Sequence, residues 1–261
     1  MNLDLSGKNA LVCGSTQGIG KASAIELAGM GANVTLLARD EGKLKLTRDE
    51  LPRSGNQQHD FAVADFNFPD QLKKVGETLA SQKNYHILIN NTGGPPGGQA
   101  IDASIDEFVK AFTAHLLGNQ ILTQALVGGM KAEKFGRIIN VISTSVKIPI
   151  KGLGVSNTIR GAVANWSKTL ATELGPFGIT VNNVLPGASM TGRLESIMQV
   201  RSQKFNKTIE QVKKEMEEEI PAGRISEPEE VAAAIAFLAS PAAGYINGIN
   251  LPVDGGRTGS L

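Results

Sequence analysis

Residues Gly14-Ser15-Thr16-Gln17-Gly18-Ile19-Gly20 carry three glycines in the pattern G-x-x-x-G-x-G. Such spacing gives a tight turn, lets the backbone approach a pyrophosphate, and leads into a helix whose free first N–H groups face the phosphates. A lone glycine cluster also fits a plain turn. Here it follows the first apolar run and opens a helical pattern, which favours a phosphate or cofactor site. Arg39 closes the second apolar run, where the adenosine ribose of a dinucleotide would lie. A ribose diol calls for a carboxylate at that place and a 2′-phosphate for a cation. Leu37-Ala38-Arg39 holds no acid before Asp40, so NADP is expected ahead of NAD, with a surface arginine as the plain alternative. Asp65 either accepts a hydrogen bond from the adenine amine or caps the chain near Asn67. Asn90 and Asn91 end the fourth run before Thr92-Gly93-Gly94, and two amides there suggest backbone-bridging contacts under a cofactor ribose.

These residues need elements that end strands and begin helices side by side. Ala10 to Cys13 is a short apolar run, followed after the glycine turn by a helical pattern to about Met30. Val34 to Ala38 precedes a polar helix from Asp40 to about Leu51. His59 to Asp65 is expected as a third strand, with Phe61 and Val63 on one face, and Pro69 to Leu79 as a helix with Pro in its first turn. The rhythm repeats with a strand at Ile87 to Asn90, a Gly/Pro loop at 91–98, one long helix from Ser104 to Met130, and a strand at Arg137 to Ile142. Val155, Ile159, Val163, Trp166, Leu170 and Leu174 recur at helical spacing and define one face. A strand at Thr180 to Leu185, a helix at Pro228 to Leu238 and a strand at Ile249 to Val253 complete the alternation, which is that of a parallel sheet covered by helices on both faces. Gly187 to Glu219 is the exception. It holds Met190, Leu194, Ile197 and Met198 before the charged run Lys213 to Glu219, and forms either a helical lid at about 188–220 or a solvated insertion.

The 261 residues are 41% hydrophobic, with 26 basic and 25 acidic side chains, a net charge of +1. No linker divides them, so residues 1–261 are expected to form one domain. Charge balance argues against nucleic acid and against an anionic membrane surface as partners. The single cysteine, Cys13, precludes an intrachain disulfide and is expected to pack as a small hydrophobe. No Cys/His spacing suggests a metal. Without a signal-like or membrane-spanning segment, the cytoplasm is the expected compartment.

Taken together, the glycine turn, Asn90-Asn91-Thr92-Gly93, Ser143, Pro186-Gly187 with Thr191, and the tail Tyr245-Ile246-Asn247-Gly248 through Val253-Asp254-Gly255-Gly256 resemble the short-chain dehydrogenase/reductase family. Ile220-Pro221-Ala222-Gly223-Arg224 and Glu227-Pro228-Glu229-Glu230-Val231-Ala232 resemble its 3-oxoacyl-acyl-carrier-protein reductases, and the likeness runs from Leu5 to Gly256. It implies a Rossmann-type three-layer α/β/α sandwich with a seven-stranded parallel sheet and a dinucleotide across its carboxyl edge. Gly14, Ser15, Thr16, Gln17, Gly18, Ile19 and Gly20 would form the pyrophosphate turn. Asp65 and Phe66 would lie at the adenine, Asn91, Thr92 and Gly93 at the ribose, and Pro186, Gly187 and Thr191 at the nicotinamide carboxamide. It further implies a carbonyl, alcohol or acyl-thioester substrate and a homotetramer or homodimer packed through the two long helices.

The resemblance fails where proton transfer belongs. The family uses a Ser, a Tyr, a Lys four residues after the Tyr, and an Asn on the preceding long helix. This chain supplies Ser143, but Ser156, Arg160 and His115 stand at the other three places. A phenol near pKa 10 can be drawn toward neutrality by an ammonium and by the nicotinamide charge; an aliphatic hydroxyl titrates far above that range. Arg160 keeps the positive charge and can bind ribose hydroxyls, yet it does not release a proton. His115 is open to three readings: a substitute proton donor titrating near pH 6.5, a packed histidine filling the vacated space, or a binder of a substrate anion. Tyr85 and Tyr245 fall outside the site segments, and His59 and His86 have no such role. The leading expectation is an NADP-dependent reductase or dehydrogenase with a rebuilt proton path. A cofactor-binding sensor or scaffold that has lost catalysis comes second, and a non-redox enzyme such as an isomerase or hydratase third.

Overall fold

The computed structural model describes residues 1–260. Seven strands form one parallel sheet: β1 (Asn9–Cys13), β2 (Asn33–Ala38), β3 (Asp60–Val63), β4 (Ile87–Asn90), β5 (Gly136–Val141), β6 (Ile179–Pro186) and β7 (Asn250–Val253), in the order β3-β2-β1-β4-β5-β6-β7. Nearly every strand residue of β1, β2 and β4–β6 is buried, because helices cover both faces. Alternate side chains divide between two cores. Ala10 and Val12 of β1 join a cluster with Leu27 of α1 (Gly18–Gly29), Leu44 of α2 (Glu41–Glu50) and Val231 and Ile235 of a late helix, Pro228–Ala239. Leu11 and Cys13 join the opposite cluster with Leu72 and Leu79 of α3 (Pro69–Gln82), and with Leu122 and Leu126. The architecture is therefore the expected three-layer α/β/α sandwich. No helix of the described residues is long and apolar enough to cross a membrane.

The expected long helix from Ser104 is not continuous. Ser104 caps α4 (Ile105–Phe112) through a reciprocal bond with Glu107, a π-helical turn occupies Thr113–Leu117, and α5 (Gly118–Glu133) follows. Periodicity could not show this, since one added residue per turn shifts the face without breaking the apolar pattern. The third strand is also shorter than expected and stops at Val63, so Asp65 lies in the turn beyond it.

The helix α6 (Gly154–Leu174) buries Val155, Ile159, Val163 and Leu174, while Trp166 is half-buried and its Nε1 donates to Gln120 Oε1 at 2.8 Å. The stretch after β6 contains α7 (Gly192–Phe205) and α8 (Ile209–Glu218), which share a small core of Leu194, Met198, Val212, Met216 and Ile220. The charged run Lys213 to Glu219 occupies the outer side of α8 around buried Met216. The closing helix Pro228–Ala239 is α9.

One row of side chains crosses four strands. Asn90, Asn140, Asn183 and Asn250 lie in register on β4, β5, β6 and β7. Each Nδ2 donates to the next Oδ1, at 2.8, 3.1 and 2.8 Å, and the hydroxyl of Ser167 on α6 also bonds into the row. Asn90 is thereby buried in the sheet, not placed under a ribose as the sequence suggested.

Candidate active site

Strand order reverses between β1 and β4, the place where an open parallel sheet leaves a crevice at its carboxyl ends. A cavity of about 810 Å³ lies there. At one end is the glycine turn after β1. Gly14 and Gly18 have positive φ (59° and 53°), and a Cβ on Gly14 would meet the Asn91 carbonyl oxygen at 2.6 Å. Asn91 Nδ2 donates to the carbonyls of Cys13 and Gly14 at 3.3 Å each, tying the turns after β4 and β1 together. Helix α1 begins at this turn with no side-chain cap and no acid in its first turn, so its N–H groups remain free for an anion.

Gly14, Thr16, Gln17, Gly18 and Ile19 line the cavity, but Ser15 and Gly20 do not. Ser15 is fully buried with its Oγ unpartnered, and Gly20 packs behind the turn against Gly14. The Ser15 side chain therefore points into the protein, away from the concave side of the turn. Arg39, Asp65 and Phe66 line the same cavity, and Arg39 and Asp65 also line an adjoining hollow of about 650 Å³. Asp65 Oδ1 accepts both the backbone N–H and the side-chain amide of Asn67, at 2.9 and 2.8 Å, so the capping interaction is present.

At the other end, Ser143 follows β5, and its Oγ accepts the Ser145 N–H at 3.1 Å. Arg160 reaches in from α6, 7% exposed, with Nη1 donating to the Val141 carbonyl at 3.0 Å. Burial, and next the charge of Arg193, lower its pKa to about 10, which leaves it charged at neutral pH. His115 projects from the π turn, 2% exposed, with Nδ1 paired to Thr92 Oγ1 at 2.5 Å. Burial, and then Arg160, drive its pKa down to about 2, so the imidazole is neutral. Of the three readings of His115, the burial and the bond to Thr92 support the packed histidine over a proton donor titrating near pH 6.5. Ser156 sits one helical turn before Arg160 and shares its side of α6, yet it is half-buried and outside the cavity lining.

Pro186, Gly187 and Thr191 bound the cavity after β6, with Thr191 Oγ1 capping α7 and its methyl opposite Gly18. Thr92 and Gly93 line it from the β4 side. Sequence reasoning missed Arg193, Lys110 and Glu107, which also line it. Arg193 Nη2 donates to the Pro95 carbonyl at 2.7 Å, joining α7 to the loop after β4. Nothing local marks that contact; it is made by segments 98 residues apart. Tyr85 is buried with its hydroxyl on Thr35 and pushed up to about 12, while Tyr245 is exposed, so neither reaches the cavity. His59 and His86 accept backbone N–H groups from Val34 and Asn9. Cys13 is buried, and burial raises its thiol pKa.

A family model described as enoyl-(acyl carrier protein) reductase matches residues 14–258. The chain is 32% identical over 255 residues to the 3-oxoacyl-acyl-carrier-protein reductase FabG of Vibrio cholerae, covering 97% of this chain and 98% of that protein. Its fold is similar to L-sorbose reductase from Gluconobacter frateurii, solved with NADPH and L-sorbose (TM-score 0.94, 29% identity, all of both chains). It is likewise similar to YwfH, an NADPH-dependent reductase of bacilysin biosynthesis (TM-score 0.93, 27% identity, 98% of this chain and 100% of that one). With its seven-stranded sheet, glycine turn and crevice, the chain belongs to the short-chain dehydrogenase/reductase family of oxidoreductase folds.

Proposed function

We propose that the protein is an NADP(H)-dependent oxidoreductase acting on a carbonyl or alcohol substrate, with a proton path that uses no tyrosine. The observation carrying this is one cavity that joins an anion-ready glycine turn to a buried cation beside a serine hydroxyl. The residues fit a dinucleotide: the first turn of α1 is uncapped, and a Cβ at Gly14 would close the cradle. Arg39 at the end of β2 supports NADP over NAD. NADPH in the solved L-sorbose reductase supports the same choice.

When bound, the cofactor supplies or accepts a hydride. The chain's own residues then handle charge on the substrate oxygen. Ser143 Oγ is already an acceptor from Ser145, so its O–H is left to donate to that oxygen. Arg160 has one of five donors committed to Val141; the others serve ribose hydroxyls along one edge and the substrate along the other. Its positive charge in a buried setting stabilises negative charge developing on the substrate oxygen. We place Ser156 and Arg160 where the family carries its Tyr and Lys. Neither transfers the proton, because Ser156 lies outside the cavity and Arg160 stays charged. Neutral His115 holds Thr92 and shapes the wall. The proton then reaches the oxygen from water, through the Ser143 hydroxyl.

Residues 1–261 act as one domain in this reading, with α7 and α8 as a lid latched by Arg193. Ile105 and Val109 of α4 are 77% and 56% exposed, which supports self-association through that helix. Calorimetric titration with NADPH and NADH, followed by NADPH consumption with a panel of aldehydes and ketones, tests the proposal. Binding with turnover supports it, and failure to bind either nucleotide refutes it. The absence of a cavity tyrosine favours one second reading, a cofactor-binding sensor, which binding without any turnover would support.

A further inference from the structure

The end of the cavity near Ser143 carries more positive charge than its own acids balance. Arg160 is buried, makes one hydrogen bond, and has no ion-pair partner among the described residues. Arg193 from α7 and Lys110 from α4 open on the same cavity; Lys110 has Glu107 as its charged neighbour, whereas Arg193 has no salt-bridge partner among the described residues. The acid at this end is Glu107, whose Oε2 is committed to the Ser104 N–H at 2.8 Å and hydroxyl at 3.0 Å. A buried cation without a counter-charge is costly, and neutral ribose hydroxyls satisfy its donors without cancelling that charge.

Nucleotide phosphates do not account for the imbalance. The glycine turn follows β1 and Arg39 follows β2, whereas Arg160 bonds to the last residue of β5. In this strand order, β5 is two places from β1 and three from β2, roughly 10 and 14 Å at the usual strand spacing. Resting on the function proposed above, we infer that the substrate is an oxo acid, or the corresponding hydroxy acid. Its carboxylate docks between Arg160 and Arg193 while its carbonyl oxygen faces Ser143. Arg193 is held in place by its bond to Pro95, which leaves Nε and Nη1 to donate, and a guanidinium presents paired donors that match a carboxylate. Lys110 adds charge at the mouth.

The test uses three acids and their methyl esters, each pair nearly equal in shape: pyruvate, acetoacetate and levulinate. NADPH-loaded full-length protein is titrated with all six compounds by calorimetry, and kcat and KM are measured wherever turnover occurs. At least one acid is expected to bind about tenfold or more tightly than its ester, as a charge-assisted pair requires. Arg193→Gln is expected to remove most of that advantage by weakening the acid far more than the ester, any loss of the latch to Pro95 falling on both alike. Esters that equal or exceed their acids in every pair, or no binding of any acid, overturn the inference while retained NADPH binding leaves the proposed function standing. Loss of NADPH binding itself would instead bring down the function reading. An acid preference untouched by Arg193→Gln refutes the assigned docking site.

Discussion

Replacing Gly20 with Ala asks whether the glycine turn is built around missing side chains. Gly20 is the third residue of α1, and by helix propensity alone alanine would gain about 1 kcal/mol there. The available space reverses that sign. A Cβ at Gly20 would lie 2.2 Å from the Gly14 carbonyl oxygen and 2.6 Å from Asn91 Nδ2, whereas carbon and carbonyl oxygen ordinarily approach to about 3.3 Å. Relief of about 1 Å must come from the backbone of the turn, since the carbonyl has no rotamer to change. Overpacking of this kind costs about 1–3 kcal/mol, and a rigid partner places the cost at the upper end. Offsetting the propensity gain leaves a net loss of about 2 kcal/mol, or about 4–8 °C in Tm for a chain of this size. NADPH affinity should fall at least about tenfold, because a 1 Å shift misaligns N–H groups that must converge on one phosphate. Gly29→Ala, in the same helix with no atom near its Cβ position, serves as control. It should be neutral or stabilising and bind cofactor normally. Differential scanning fluorimetry and calorimetry read both quantities. A Gly20→Ala protein that melts and binds like the native one would refute the reasoning.

Arg39→Ala should weaken NADPH by about 1.5–3 kcal/mol and NADH far less; equal weakening in calorimetric titration would remove Arg39 from the 2′-phosphate. The pair Ser156→Tyr and Arg160→Lys should raise turnover by about 10²–10⁴-fold in a steady-state assay, each single change much less, because phenol and ammonium act together. His115 is held neutral in the fold, with a pKa lowered to about 2 against 6.5 when unfolded. Its contribution to stability is therefore full above about pH 6.5 and is lost as pH falls. About 2 kcal/mol disappears between pH 6.5 and 5. Urea midpoints at the two pH values should differ less in His115→Asn, and the pH–rate profile of that variant should keep its shape between pH 5 and 8. Light scattering should give a multiple of the 27.5 kDa chain mass, and a monomer would refute self-association.

The sheet and its helices were legible because strands buried on both faces are written as apolar runs, and Ile87 to Asn90 fell where expected. The glycine turn was legible for a similar reason: few residue types tolerate its φ angles. The lining of the site was less so. Ser15 sits within the motif but its side chain is buried away from the cavity, a matter of direction that spacing does not encode. His115 titration depends on how deeply the π turn buries the ring and on Arg160 beside it, both set by packing of α4, α5 and α6. Arg193 belongs to the site only because α7 folds over the loop at Pro95.

The row of four asparagines has a consequence for how this sheet finds its pairing. Slipping a strand by two residues keeps every side chain on its proper face, and runs of Ile, Leu and Val on β4, β5 and β6 would pack almost as well after such a slip. The amides do not forgive it. Each displaced strand strands one or two buried amide groups among hydrocarbon, at about 1–3 kcal/mol apiece. Asn90, Asn140 and Asn183 thus work like the teeth of a key, admitting one alignment among several that burial cannot tell apart. Asn91, Ser143 and Gly187 follow those teeth by one, three and four residues. The alignment that keeps the amides paired is also what delivers these three residues to the same crevice.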